Sequence, residues 1–146
     1  MTRKDKALEV FDSGFNCAQS VLLAFAEELG LDPEKALKIA SGFGGGMGAM
    51  GATCGAVTGS FMVIGLDRGN ASGDDRETKD ATYRMIRQFA REFEQTHGSI
   101  ACRVLLGCDI SSYEGYHEAL TKDLFRTLCP RYVETAVTIL SPMLGR

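Results

Sequence analysis

The chain has 146 residues, 45% of them apolar and 24% charged, and a net charge of -3. That length suits one domain with a sizeable core, and the composition is that of an ordinary globular protein. Acid and base are mixed along the chain, which argues against a nucleic-acid or anionic-membrane footprint, and no apolar run approaches the roughly 20 residues of a membrane span.

The opening Met1-Thr2-Arg3-Lys4-Asp5-Lys6 turns amphipathic rather than continuously apolar, so no signal peptide is read there and a cytoplasmic setting is expected. Ala7, Val10 and Phe11 predict a short first helix that stops near Ser13-Gly14. From Asn16 to Leu29, apolar residues recur at Cys17, Val21, Leu22, Phe25 and Leu29 with helical spacing. Gln19, three residues after Asn16, completes a capping-box pattern. Asp32-Pro33 opens a third helix through Ala40, with Leu37 and Ala40 expected inward.

Gly42 to Gly51 then holds six glycines in ten residues. Thr53 is expected to cap a helix from Cys54 to about Leu66, whose only polar side chains are Thr58 and Ser60. A helix apolar all round is normally buried, so this one is placed at the centre of a bundle. Gly55 and Gly59 share a face that serves a close helix contact within the chain or a dimer, and the intrachain contact is expected.

Asp74 and Glu77 mark the start of a long helix to about Thr96, with Tyr83, Ile86, Ala90 and Phe93 inward and Arg84, Arg87 and Arg91 outward. Ser99 is expected to open a helix through Leu106. Another lies within Ser112–Leu128 with Leu120, Leu124 and Phe125 as core, and a last one follows Cys129 until Pro142. No alternating strand, internal repeat or domain boundary is visible. The expectation is an all-α single domain over residues 1–146, a bundle of about six to eight helices around the glycine-containing central one.

Four of the five cysteines fall at apparent helix starts: Cys17, Cys54, Cys102 and Cys129. A helix N-terminus carries about half a positive charge and free N–H donors, which favour thiolate over thiol. The intervals Cys17 to Cys54, Cys54 to Cys102 and Cys102 to Cys129 are 37, 48 and 27 residues, so there is no CxxC knuckle, zinc ribbon or thioredoxin-type dithiol. Any shared site must be assembled by tertiary structure. Cys108 follows Gly107 near a helix C-terminus, where the dipole disfavours thiolate. His97 beside Gly98 reads as a helix-end cation rather than a metal ligand.

Gly46-Met47-Gly48-Ala49-Met50-Gly51 spells GxGxxG, but without a preceding strand or βαβ unit it is not a dinucleotide site. Glycines there let a backbone approach closely. They leave Cys54 open to a substrate, cluster or partner thiol, or offer amides to an anion. Gly51, Gly55 and Gly59 are the positions expected to admit a ligand.

Several pieces of the chain together resemble a known family. They are Gly14-Phe15-Asn16-Cys17-Ala18-Gln19, Gly42-Phe43-Gly44-Gly45-Gly46, Cys54-Gly55-Ala56-Val57-Thr58-Gly59, Cys102-Arg103-Val104-Leu105-Leu106-Gly107 and Cys129-Pro130-Arg131-Tyr132-Val133. The chain is similar to the redox-active protein family named for a Cys…CGAxxG…Cys…Cys pattern. The resemblance implies a small, mostly helical protein whose four characteristic cysteines fall here on Cys17, Cys54, Cys102 and Cys129. It brings no substrate, cofactor or reaction.

Three functions follow. The first is a thiol-dependent redox protein or oxidoreductase in which Cys17 pairs with Cys54 and Cys54 is the nucleophile, acting on a redox partner or small molecule. The second is a site for zinc, copper(I) or an iron–sulfur cluster held by Cys17, Cys54, Cys102 and Cys129. The third is a helical scaffold whose cysteines only pack. The first two both require the four cysteines to converge.

Overall fold

Thr2 begins the first helix by accepting the Asp5 N–H while the Asp5 carboxylate accepts the Thr2 N–H, a complete capping box over α1 (Arg3–Asp12). Asn16 and Gln19 form the expected second box and start α2 (Cys17–Ala26). Asp32 caps α3 (Pro33–Ala40), which runs into a 3₁₀ turn at Ser41–Phe43. After the glycine loop come α4 (Gly55–Arg68), α5 (Arg76–His97) and the five-residue α6 (Cys102–Leu106). The chain closes with α7 (Tyr113–Thr121), the single turn α8 (Leu124–Thr127) and α9 (Cys129–Met143). This computed structural model describes residues 1–146, and it is the expected all-α single domain.

The central position of α4 follows from its sequence. It packs most extensively on α2 and also meets α5 and α9. Gly59 sets the closeness of the first contact. A Cβ there would lie 2.8 Å from the Ala18 carbonyl oxygen and 2.9 Å from the Ala18 Cα, so the two backbones can touch only through glycine. The small-residue face therefore serves the intrachain contact. Phe25, Ile64, Phe89, Phe93 and Leu140 are fully buried in the main core. Each contributes about 2–3 kcal/mol of transfer free energy. The two buried serines are satisfied locally: Ser20 Oγ donates to the Asn16 carbonyl and Ser60 Oγ to that of Ala56.

Several expectations shift. α2 ends at Ala26 rather than Leu29. Ala36, not Leu37, is fully buried with Ala40 on α3. On α5 the buried aromatics are Phe89 and Phe93, while Tyr83 is 52% exposed with the Lys79 ammonium over its ring. The inner stripe is thus rotated by about one position, because a tyrosine is accommodated at the rim where its hydroxyl stays wet. Leu120 is exposed, since Asp123 takes a left-handed conformation at φ 57° and breaks the predicted helix into α7 and α8. Pro142 lies inside the last turn of α9 rather than after it. No helix is long and apolar enough to cross a membrane.

Candidate functional site

Cys17 is the first residue of α2, Cys102 of α6 and Cys129 of α9, and Cys54 is itself the cap of α4. Thr53 is therefore not the cap. It forms an isolated antiparallel bridge with Ala101 instead. That bridge explains how two cysteines 48 residues apart in sequence come to share a site. The Cys54 N–H donates to the Ile100 carbonyl (2.8 Å) and the Cys102 N–H to that of Ala52, so the entries to α4 and α6 run side by side. Ser99 does not start α6. Its hydroxyl accepts the Ala101 N–H and holds the approach to the bridge.

Glycine brings the remaining pieces close. A Cβ on Gly55 would sit 3.3 Å from the Cys17 Cβ, so the absent side chain leaves the space that Cys17 occupies beside α4. Gly46 is more constrained. Its φ is +68°, and a Cβ would lie 2.5 Å from the Cys102 Cβ and 2.9 Å from the Ala52 backbone. The loop is knotted on itself: Gly48 N–H donates to Gly42 O, Ala49 N–H to Gly44 O and Gly51 N–H to Gly45 O. Those amides are spent and do not cradle an anion. Arg103 locks the loop onto α6 through Nε to the Gly51 carbonyl (3.0 Å) and a second guanidinium nitrogen to that of Met50 (3.2 Å).

The outcome is one cavity of about 100 Å³ lined by Cys17, Cys54, Cys102 and Cys129. Its other walls are Phe11, Leu105, Leu106, Phe125 and Tyr132, with Asn16, Gly45, Gly46 and Gly55. Of the three glycines expected to admit a ligand, Gly55 lines it, whereas Gly51 faces Asp109 and Arg103 and Gly59 packs on Ala18. The apolar walls were not singled out in the sequence. Tyr132 offered the available signal, lying one turn after Cys129 on the same face of α9. Its hydroxyl donates to the Leu105 carbonyl (2.7 Å) and ties α9 to α6. Cys108 lies outside the cavity, half-buried, its thiol raised by partial burial and by the Glu118 carboxylate.

Helix-start placement does not make all four cysteines thiolates. Burial pushes the Cys54 thiol up to about 12, although the Ala56 and Val57 N–H groups at the start of α4 act the other way. Burial likewise pushes Cys102 to about 11, with Cys129 beside it adding to the rise. Removing charge from water outweighs the dipole and its two N–H donors. Cys17 and Cys129 separate in opposite directions. Hydrogen bonding between them, followed by burial, holds Cys17 well above the ordinary thiol range, and the same bond draws Cys129 below it. Of the five thiols, Cys129 is the one shifted towards easier ionisation, while the other four are shifted away from it. Burial thus works against ionisation of Cys54, the expected nucleophile, which is more enclosed than Cys129.

His97 is also not the expected helix-end cation. Its ring packs against Phe93 and Tyr132, Nε2 lies 2.8 Å from the Thr135 hydroxyl, and burial followed by the nearby Arg131 lowers its pKa. As for a metal, four soft thiols form a suitable donor set. Their arrangement does not, since no three Cys, His, Asp or Glu side chains are grouped to hold an ion.

A family model described as "Putative redox-active protein (C_GCAxxG_C_C)" matches residues 15–143, a span containing all four cavity cysteines, and the chain belongs to that family. It is also similar to a protein of Archaeoglobus fulgidus described as "Uncharacterized protein". The two are 31% identical over 106 residues, 68% of this chain and 70% of the relative. No solved structure matches.

Proposed function

From membership in a redox-active family, we propose that the cavity is a dithiol centre in which Cys17 and Cys129 cycle between two thiols and a disulfide. The observation that carries this reading is that Cys17 and Cys129, at the starts of α2 and α9, pack in one cluster and line the same cysteine-lined cavity. A thiolate is the attacking species in sulfur exchange and oxidation, and a neighbouring thiol is what resolves the intermediate. Cys129 is the nucleophile and Cys17 the resolving group. Oxidation joins the two sulfurs, removes two electrons to an acceptor and releases the Cys17 proton. Cys54 and Cys102, protonated at neutral pH, wall the site as neutral thiols. A cytoplasmic setting fits a centre of this kind, since thiols there are kept reduced.

The test is peptide mapping under non-reducing conditions after mild oxidation of protein purified without oxygen. The expected result is a Cys17–Cys129 link that dithiothreitol reverses, with Cys54 and Cys102 still free. Absence of that link overturns the reading. So does tightly held zinc, iron or copper with four thiols masked, which would select the metal alternative.

A further inference from the structure

We propose that the electron acceptor admitted to this cavity is a small uncharged hydroperoxide, and that anionic oxidants and protein disulfides are turned away by its walls. The inference rests on the dithiol reading above and adds the substrate class to it.

Size is the first observation. About 100 Å³ admits a small molecule of about seven to ten water-sized atoms, at roughly 10–15 Å³ for one water on this measure. The wall is the second. Phe11, Leu105, Leu106 and Phe125 are apolar, and no Lys, Arg, His, Asp or Glu lines the space. The polar side chains other than the thiols are already engaged. Asn16 caps α2 through Oδ1 and donates from Nδ2 to the Ser41 carbonyl, and the Tyr132 hydroxyl donates to Leu105. An entering carboxylate would lose its water without gaining a counter-charge. A protein disulfide cannot follow, because Cys129 is only 9% exposed. A hydroperoxide meets neither obstacle. Gly45 and Gly46, whose N–H groups have no protein oxygen as acceptor, also line the cavity and are neutral donors suited to a peroxide oxygen.

The chemistry closes on the residues present. The Cys129 thiolate attacks the terminal peroxide oxygen, the O–O bond breaks, and Cys129 becomes a sulfenic acid while an alkoxide leaves. The alkoxide takes the Cys17 proton and departs as alcohol. The Cys17 thiolate then attacks the Cys129 sulfur, forming the disulfide and releasing hydroxide. One thiol, one thiolate and one hydroperoxide give one disulfide, one alcohol and one hydroxide, with a single negative charge throughout.

The experiment uses the reduced full-length protein and follows the Cys17–Cys129 link by quenched peptide mapping. The oxidants are hydrogen peroxide, tert-butyl hydroperoxide, hydroxyethyl disulfide and glutathione disulfide. In parallel, Cys129 is alkylated with neutral iodoacetamide and anionic iodoacetate. The link should form at least about 100-fold faster with hydrogen peroxide than with glutathione disulfide, and the iodoacetamide preference should exceed that of free cysteine by about tenfold, given the cost of burying an unpaired charge. Equal rates with glutathione disulfide, a faster reaction with hydroxyethyl disulfide, or an iodoacetamide preference no greater than that of free cysteine would overturn the substrate class while leaving the dithiol intact. No link with any oxidant would sink the dithiol reading itself, and this inference with it.

Discussion

The molecule has two apolar clusters built on different principles. The main one gathers 23 buried residues from α1, α2, α3, α4, α5 and α9, with one residue from α6, and its largest side chains are phenylalanines and branched aliphatics at helical spacing. The smaller one has five buried residues, Cys102, Leu106, Ile110, Ala119 and Cys129, with Cys17 and Cys108 packed against it. Cys102 and Ala119 come from the short α6 and α7 and Cys129 from the first residue of α9, and the entry to α6 is held by a β-bridge, a left-handed glycine and one arginine clamp. Most of the buried apolar volume lies in the periodic cluster, to which Cys54 belongs, whereas Cys102 and Cys129 lie in the aperiodic one and Cys17 packs against both. The small cluster therefore places its sulfurs at helix starts rather than along helix faces, and depends on a few irreplaceable backbone positions.

The largest test of that contrast is Phe93→Ala. Phe93 stacks with Phe89 and is fully buried, so its loss should destabilise the fold by about 3–5 kcal/mol in urea titration. Below the transition, the Cys17–Cys129 link should still form at the wild-type rate. A large change in that rate would mean that the clusters are not separate.

A comparable effect, confined to alkaline pH, comes from Cys54. Its folded thiol sits at about 12 and its unfolded one at 9.0. A raised folded pKa in an acid means that the protonated form is favoured by folding. The contribution is fully present below pH 9 and is lost as pH rises towards 12, because only the unfolded chain can release the proton. The slope is about 1.4 kcal/mol per pH unit and the total about 4 kcal/mol. Cys54→Ala should flatten the alkaline stability curve by that amount, measured as the difference between the two proteins, and an unchanged curve would contradict the burial assignment.

Gly46→Ala comes next. The new methyl meets the Cys102 Cβ and the Ala52 backbone at a left-handed position, for a loss of about 2–4 kcal/mol. In the folded protein the alkylation rate of Cys102 should change as well. Gly30→Ala is the control: it also has positive φ but meets nothing within 4 Å, so about 1 kcal/mol is expected. Equal losses at the two sites would show that the contact with Cys102 contributes nothing.

The smallest effect in energy is the most specific to the site. Cys17→Ala removes the donor that lowers Cys129. The Cys129 titration should move up, and iodoacetamide should react more slowly with it at neutral pH, because less of it is thiolate. A Cys129 titration unmoved by the substitution would remove the dithiol from consideration.

Local chemistry in the sequence marked several helix starts. Asn16-Gln19 and Asp32-Pro33 act within three residues, so they are readable without the fold, and both boundaries stand, whereas the Thr2–Asp5 box that starts α1 was not singled out. The apolar circumference of α4 told correctly of a central helix, and Gly59 of a close contact. The inner face of α5 was misread because Tyr83 and Phe89 are both aromatic, and only the packing partner decides which turns inward. The division at Asp123 escaped notice because an aspartate carries no obligatory signal for left-handed backbone. In the site, the four helix-start cysteines were legible as a set, and their walls were not, since Phe11, Leu105, Leu106 and Phe125 look like any core residues.

The sequence alone determined that Cys17, Cys54, Cys102 and Cys129 stand where helices begin, because capping and turn preferences are local. Tertiary structure alone decided that these four starts face one cavity, through the Thr53–Ala101 bridge and the glycine contacts at Gly46 and Gly55. It also decided which sulfur is held towards thiolate. The dipole at a helix start is a property of the segment, but desolvation and a neighbouring thiol depend on what the rest of the chain places around it; desolvation outweighs the dipole at Cys54, and the neighbouring thiol reinforces it at Cys129.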